Sequence, residues 1–478
     1  VNTLNKTQST SFYKNILYAF SAQGVSLFLS VLMSLVVPKI LGIEGFSYWQ
    51  LFLFYIGYVG FSLFGLSDGF YLRLGGKNLN QIDVSLIGSQ IKIAIVFQIS
   101  IATIISLLSL FFITNDQRKF VLICTVIYMV LQNVFGCLGY IFQAINNTRI
   151  YSISVIIEKF IFIVAVIGLS IFKTDRFELF VVFYLISKAI ATVYCIWAGS
   201  KIIFSSWCDL STAFIEIWKN INVGIKLMIA NIASMLILGS SRFFIDKAWG
   251  ISSFGIFSLA LSLTNFFLLF ISQVSMVLFP TLKHSGKQQQ YQVYTFTRNA
   301  LGLFLPIIFL LYMPMKYLLE IWLPGYQESF KYLALLLPIA TFDGKMNLLC
   351  NTYFKVLRKE KFLLGINILT MVLSLLLSLL SVFILRNIYA VIIFMVISIA
   401  FRSIISELYL AKIMNVNIVY NTIQEIIIVI IYMLSELHLS PTGSFIVFFP
   451  IYIVYLIINK KNLIEIVKYV KVKFVLIN

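Results

Sequence analysis

The chain has 478 residues, of which 60% are hydrophobic and 11% charged, with a mean hydropathy of +0.98. A water-facing surface carries roughly 25% charged residues, so this composition excludes an array of soluble domains. The formal charge of +18, from 36 Lys and Arg against 18 Asp and Glu, would suggest nucleic acid in a soluble protein. In a chain this apolar the excess belongs in short loops beside anionic headgroups, and no nucleic-acid partner is expected.

An apolar run of roughly 20 residues crosses a hydrocarbon core. In chain order, spans are predicted at residues 15–38, 45–67, 93–115, 120–148, 150–172 and 180–200, the last two with internal charges. The polar N-terminal segment is followed by no cleavage motif, so no removable signal peptide is expected. A link at 201–220 sets Trp207, Phe214, Ile215 and Trp218 among Asp209, Glu216 and Lys219. It reads as a short amphipathic helix on the cytoplasmic surface. Spans seven and eight fall at 222–244 and 253–280. After a polar stretch come 299–315, 332–354, 362–385 and 387–411, then 413–435 and 441–459.

The fold class expected is therefore an all-α polytopic membrane protein of about fourteen transmembrane helices. Its predicted parts are an N-terminal lobe (1–200), a cytoplasmic linker helix (201–220) and a C-terminal lobe (221–412). Helices 13 and 14 follow at 413–459, then a basic cytoplasmic tail at 460–478 that lies on anionic lipids of the inner leaflet. About 22 basic residues, among them Lys6, Lys14, Arg73 and Arg298, fall on the N-terminal side of the membrane, and about 9 on the other. That bias predicts both termini inside. The five cysteines are scattered without a C-x-x-C, and the two histidines, His284 and His438, stand far apart. Neither a disulfide framework nor a metal site is expected, and no cofactor.

The first and seventh spans end alike. Pro38-Lys39-Ile40-Leu41-Gly42-Ile43-Glu44-Gly45-Phe46 aligns with Asp246-Lys247-Ala248-Trp249-Gly250-Ile251-Ser252-Ser253-Phe254 at an offset of 208. Lys39/Lys247, Gly42/Gly250, Ile43/Ile251, Phe46/Phe254, Leu51/Leu259 and Leu53/Leu261 coincide. Six predicted spans separate the copies, so both enter the membrane in the same sense. This predicts parallel repeats, two six-helix lobes about an axis along the membrane normal, followed by two C-terminal helices.

Two sets of residues carry a family resemblance. The first is Pro38 to Gly42 through Tyr48-Trp49, then Phe64-Gly65-Leu66-Ser67-Asp68-Gly69-Phe70. The second is Gly224-Ile225, Gly239-Ser240-Ser241-Arg242, Ile245-Asp246, Phe254 to Ala260 and Phe279-Pro280. In these, and in length and span number, the chain resembles the Wzx-type O-antigen and polysaccharide flippases of the multidrug/oligosaccharidyl-lipid/polysaccharide (MOP) exporter superfamily. The resemblance implies two six-helix lobes around a cavity and two extra helices. It also implies transfer of an undecaprenyl-pyrophosphate-linked oligosaccharide, an O-antigen or capsular repeat unit, from the inner to the outer leaflet of a bacterial plasma membrane. A polysaccharide polymerase and a chain-length regulator are the candidate protein associates.

A charge at the centre of a span costs about 2.5–3.5 kcal/mol on insertion scales, so each retained one needs a reason. Arg242, Lys188, Lys159, Lys345 and Arg402 are the candidate cavity cations, since Arg and Lys bind the oxygens of a diphosphate. Asp68, Asp343 and Glu425 are the candidates for gating or coupling to an ion. The alternative for each is local neutralisation or snorkelling. Arg242 with Asp246, at i and i+4, and Asp68 with Arg73, five residues on, are the expected local pairs, and Glu407 is placed at the interface.

A small-molecule exporter of the same superfamily is the competing transporter reading, usually with twelve spans. A membrane glycosyltransferase or polymerase would need a reactive cluster at an aqueous face, and none is visible. No G-x-x-x-x-G-K-[ST] sequence occurs, which disfavours an ATP-driven pump.

Overall fold

The computed structural model describes residue 21 and residues 23–283 and 286–475. Lys6, Lys14, His284, the start of the first predicted span (15–20) and the last tail residues (476–478) lie outside the described residues. Among the described residues the chain is all-α, with no strand. It forms two compact units, Val1–Ile232 and Ala233–Asn478.

The first unit contains α1 (Gln23–Leu35), α2 (Val37–Ile56), α3 (Leu66–Leu74), α4 (Val84–Phe112), α5 (Asp116–Ala144), α6 (Thr148–Ile171), α7 (Phe177–Ala198) and the one-turn α8 (Ser200–Ile203). The boundary with the second unit falls inside α9 (Leu210–Lys283). The second unit continues with α10 (Lys287–Phe304), α11 (Ile307–Trp322), α12 (Gln327–Lys345) and, past a π-turn, α13 (Asn351–Val356). It ends with α14 (Glu360–Leu379), α15 (Ile388–Met414), α16 (Val419–His438), α17 (Pro441–Ile458) and α18 (Lys460–Val475).

Among the described residues eleven helices are long and apolar enough to cross a membrane, or twelve if the α1–α2 pair, bent by 69°, is one span. The chain is thus a multi-pass membrane protein, and the count differs from the expected fourteen at two places. Spans predicted as separate are there joined without a polar loop. One is the α1–α2 bend. The other is α9, whose 60-residue apolar stretch Leu210–Leu269 is far longer than the roughly 20 residues that one crossing needs.

Both joins carry the repeated glycine. Gly42 (φ 64°, ψ −176°) interrupts α2, and Gly250 (φ 83°, ψ 179°) interrupts α9. This corner of backbone space is essentially closed to any residue with a Cβ. A Cβ at either position would meet no other atom within 4 Å, so the requirement is conformational and not one of packing. The equivalent Phe46 and Phe254 are fully buried, each in its own unit, as are Leu51 and Leu259.

The link expected as a separate helix at 201–220 is α8, a short coil, and then the first turns of α9. Asp209 caps α9, accepting from the Thr212 amide at 2.9 Å. No proline stands between Leu210 and Gly250 to stop the helix. This opening stretch is clamped to α3. A side chain at Gly65 would collide with the Gly224 backbone, and one at Gly69 with Asn220. Arg73 then closes the contact through Glu216 (2.7 Å) and the Asn220 amide oxygen (2.8 Å).

Each unit is built on one central helix, α5 in the first and α12 in the second, the most buried spans of their units. They correspond to the fourth and tenth predicted spans, six apart as a parallel repeat requires. In the first unit, Trp49, Phe52, Phe162, Phe180 and Tyr184 form an aromatic core, with Trp49 stacked on Phe162 at 5.7 Å. In the second, α16 and α17 dock on α10 and α11. Phe309 stacks on Tyr432 at 4.3 Å, and the Tyr452 and Tyr455 hydroxyls donate to the Leu303 and Gly302 carbonyls at 2.7 and 2.9 Å.

Candidate functional site

The candidate cations fall into clusters that differ in charge. In the first unit, adjacent residues of α6 meet one residue of α7. Lys188 Nζ donates to Glu158 Oε2 at 2.6 Å, and Lys159 Nζ to Glu158 Oε1 at 3.0 Å. The Glu158 and Lys188 side chains are 4% and 3% exposed, and Lys159 is 21% exposed. Lys188 also lies 3.9 Å from the Phe135 ring centroid and 5.5 Å from that of Tyr128. The negative faces of these rings offset part of its desolvation. Two ammonium groups share one carboxylate, so the cluster keeps one positive charge inside membrane-spanning helices. Lys159 is the member that reaches a surface.

In the second unit a buried cluster neutralises itself. Arg298 on α10 donates to Glu407 on α15 at 2.9 Å and pairs with Glu425 on α16 at 3.3 Å. Lys345 on α12 pairs with Glu407 at 3.3 Å and with Glu425. Two cations and two carboxylates close a ring across four helices, all buried. Beside it, Arg402 pairs with Asp343 and donates to Ser234 Oγ at 3.0 Å. Buried pairs of this kind gain from mutual attraction about what they lose on leaving water, but losing one partner strands a charge.

The structure therefore engages Lys345 and Arg402 in ion pairs with Glu425 and Asp343, expected separately as coupling carboxylates. Arg298, expected in a loop, is buried, because the polar stretch before it folds as the start of α10 and carries it inward. Glu407, expected at the interface, is also buried. Sequence reading missed both as network members. The signal for them was the near-equal number of acids and bases in the later spans.

Arg242 donates to Ser258 Oγ at 3.0 Å and lies 5.1 Å from the Phe254 ring centroid. Its neighbour Ser241 meets Ser378 at 3.0 Å, tying the Gly-Ser-Ser-Arg turn to α14. Asp68 is half-buried on α3 and makes no ion pair among the described residues. The expected partner Arg73 is turned instead to Glu216 and Asn220, because the tight Gly65–Gly69 face brings α9 within its reach. Among the described residues no cluster of three or more His, Cys, Asp or Glu side chains could hold a metal ion.

No family model and no curated protein matches the sequence. Solved structures do match its fold. The lipid II flippase MurJ in an inward closed conformation aligns with a TM-score of 0.66 at 12% identity, over 95% of this chain and 100% of that one. A multidrug resistance MATE family transporter of the MOP superfamily, in an inward-facing conformation, aligns at 0.62 and 12% identity, over 81% of this chain and 94% of that one. MATE in complex with MaD3S aligns at 0.55 and 11% identity, over 84% and 96%. At such identities the likeness is one of architecture: the chain has the helical fold of these solved structures.

Proposed function

We propose that the protein is a flippase that carries a polyprenyl-pyrophosphate-linked oligosaccharide across a bacterial plasma membrane by alternating access, with both termini in the cytoplasm. The observation that carries this reading is the surplus positive charge of Lys159, Lys188 and Glu158 inside the spans of the first unit. A buried, incompletely neutralised cation calls for an anionic ligand, and a diphosphate supplies one. Lys159 makes the contact, and Lys188 holds Glu158 so that the pair cannot quench it. The fit over almost the whole chain to a flippase of a lipid-linked substrate supports a lipid-linked cargo. In the second unit Arg242 remains a candidate anion-binding cation, whereas Lys345 and Arg402 act as structural partners. A small-molecule exporter is the second reading, favoured by the MATE likenesses. Asp68, without an ion-pair partner among the described residues, is then the best candidate for the coupling carboxylate.

The direct test is Lys159→Met. It leaves Glu158 neutralised by Lys188, so the protein inserts normally while the surplus charge is gone. Export of surface polysaccharide in cells that depend on this protein is expected to fall at least tenfold at unchanged protein level. Full display would overturn the cationic-site reading. Retained display together with lost drug resistance would favour the exporter.

A further inference from the structure

The second unit holds a pocket outside both charge clusters. Its volume is about 410 Å³, within the range of sites that take a small ligand or a lipid headgroup. The end of α11, the starts of α12 and α15, the end of α16 and the start of α17 meet there. All five helix ends belong to one membrane face, so the pocket sits at the boundary between headgroups and hydrocarbon. Lys316, Lys331, Tyr389 and Glu436 line it, with an apolar floor that includes Leu335 and Leu437.

The polar groups are unevenly satisfied. Lys316 is held by Glu320 at 3.1 Å. The ring of Tyr389 packs on Tyr332 at 5.5 Å, while its hydroxyl makes no hydrogen bond among the described residues. Lys331 has no ion-pair partner among the described residues; Glu436, facing the same space, forms no close ion pair there but accepts a hydrogen bond from Ser444 and is attracted by Lys316. With Lys316 closed on Glu320, what remains among the described residues is one unpaired cation, one hydroxyl and one carboxylate with no close cation of its own. An anionic ligand would leave the carboxylate opposed, and a cationic one the lysine. A ligand with an anionic and a cationic end satisfies both.

We propose that this pocket binds a phosphoethanolamine group, its phosphate on Lys331 and Tyr389 and its primary ammonium on Glu436, with the lipid chains leaving along the apolar floor. An ammonium donates hydrogen bonds to a carboxylate, so ethanolamine is preferred to choline, whose methyl groups cannot donate. Glycerol, with no charge, leaves Glu436 unanswered.

The test uses the full-length protein in detergent, incubated with equal amounts of phosphatidylethanolamine, phosphatidylglycerol and phosphatidylcholine and read by native mass spectrometry. Phosphatidylethanolamine should be retained at least tenfold over the other two. Glu436→Gln should bring the three within about twofold of one another, and Lys331→Met should lower retention of all three at least fivefold. Lys331→Arg, which keeps the cation, should bind as the parent does and so separates charge from packing. Displacement by millimolar soluble phosphoethanolamine would assign the site to a free zwitterion with the same two groups. Equal retention of the three lipids by the parent protein, or a parental pattern in both Glu436→Gln and Lys331→Met, would overturn the proposal.

Discussion

The two units share a backbone device and differ in how they treat charge. Gly42 and Gly250 break their helices in the same glycine-only conformation, and each is followed four residues later by a fully buried Phe. In the first unit Glu158 answers two lysines, whereas in the second Arg298, Lys345, Glu407 and Glu425 cancel. The same residue types thus do different work. A cation in a closed, neutral ring fastens helices. A cation that outnumbers its acids is left to meet an anion.

This contrast can be broken most strongly in the second unit. Lys345→Met strands a carboxylate among buried groups, at an expected loss of about 3–5 kcal/mol, measured as thermal unfolding in detergent. The double variant Lys345→Met/Glu425→Gln leaves Arg298 with Glu407 and should recover most of that loss. A double variant as unstable as the single one would show that the ring does not act as a unit.

A smaller effect on stability is expected at the shared glycines. Gly42→Ala and Gly250→Ala should each cost about 1–3 kcal/mol, and by similar amounts, because neither position has a neighbour within reach of a new Cβ. Unequal losses would mean that the two breaks are alike only in outline. Smaller again is the expected stability change for Lys159→Met, under about 1 kcal/mol since Lys188 still neutralises Glu158 and no charge is stranded. Transport should nevertheless be lost in that variant. A large destabilisation would instead place Lys159 among the fastening charges.

The smallest effect lies at Asp209, outside the spans. Hydrogen bonds from the Ser211 hydroxyl first, and then from the Thr212 amide and hydroxyl, hold its carboxyl down to about 2. An unfolded Asp titrates near 3.9. Because the folded value is the lower one, the cap contributes fully above the unfolded pKa and fades as pH falls through about 2. Amide exchange at Thr212 should therefore stay slow to about pH 3 and quicken below it, and Asp209→Ala should remove that dependence.

Residue chemistry alone set much of this molecule. With so few charges the chain has no solvent but lipid for most of its surface, and backbone groups in lipid must be paired within helices. The repeat at an offset of 208 was legible because a glycine-only conformation leaves its mark at one position in each copy. The burial of Phe46 and Phe254 follows the same register. Arg298 and Glu407 were not legible, since hydropathy places a charge at the nearest polar stretch and cannot see a partner more than a hundred residues away. Whether a buried lysine is free or neutralised depends on which helices become neighbours. Only tertiary packing decided that Lys345 meets two carboxylates while Lys159 and Lys188 share one. The physical reason is that insertion cost is a property of a single segment, whereas neutralisation is a property of a contact.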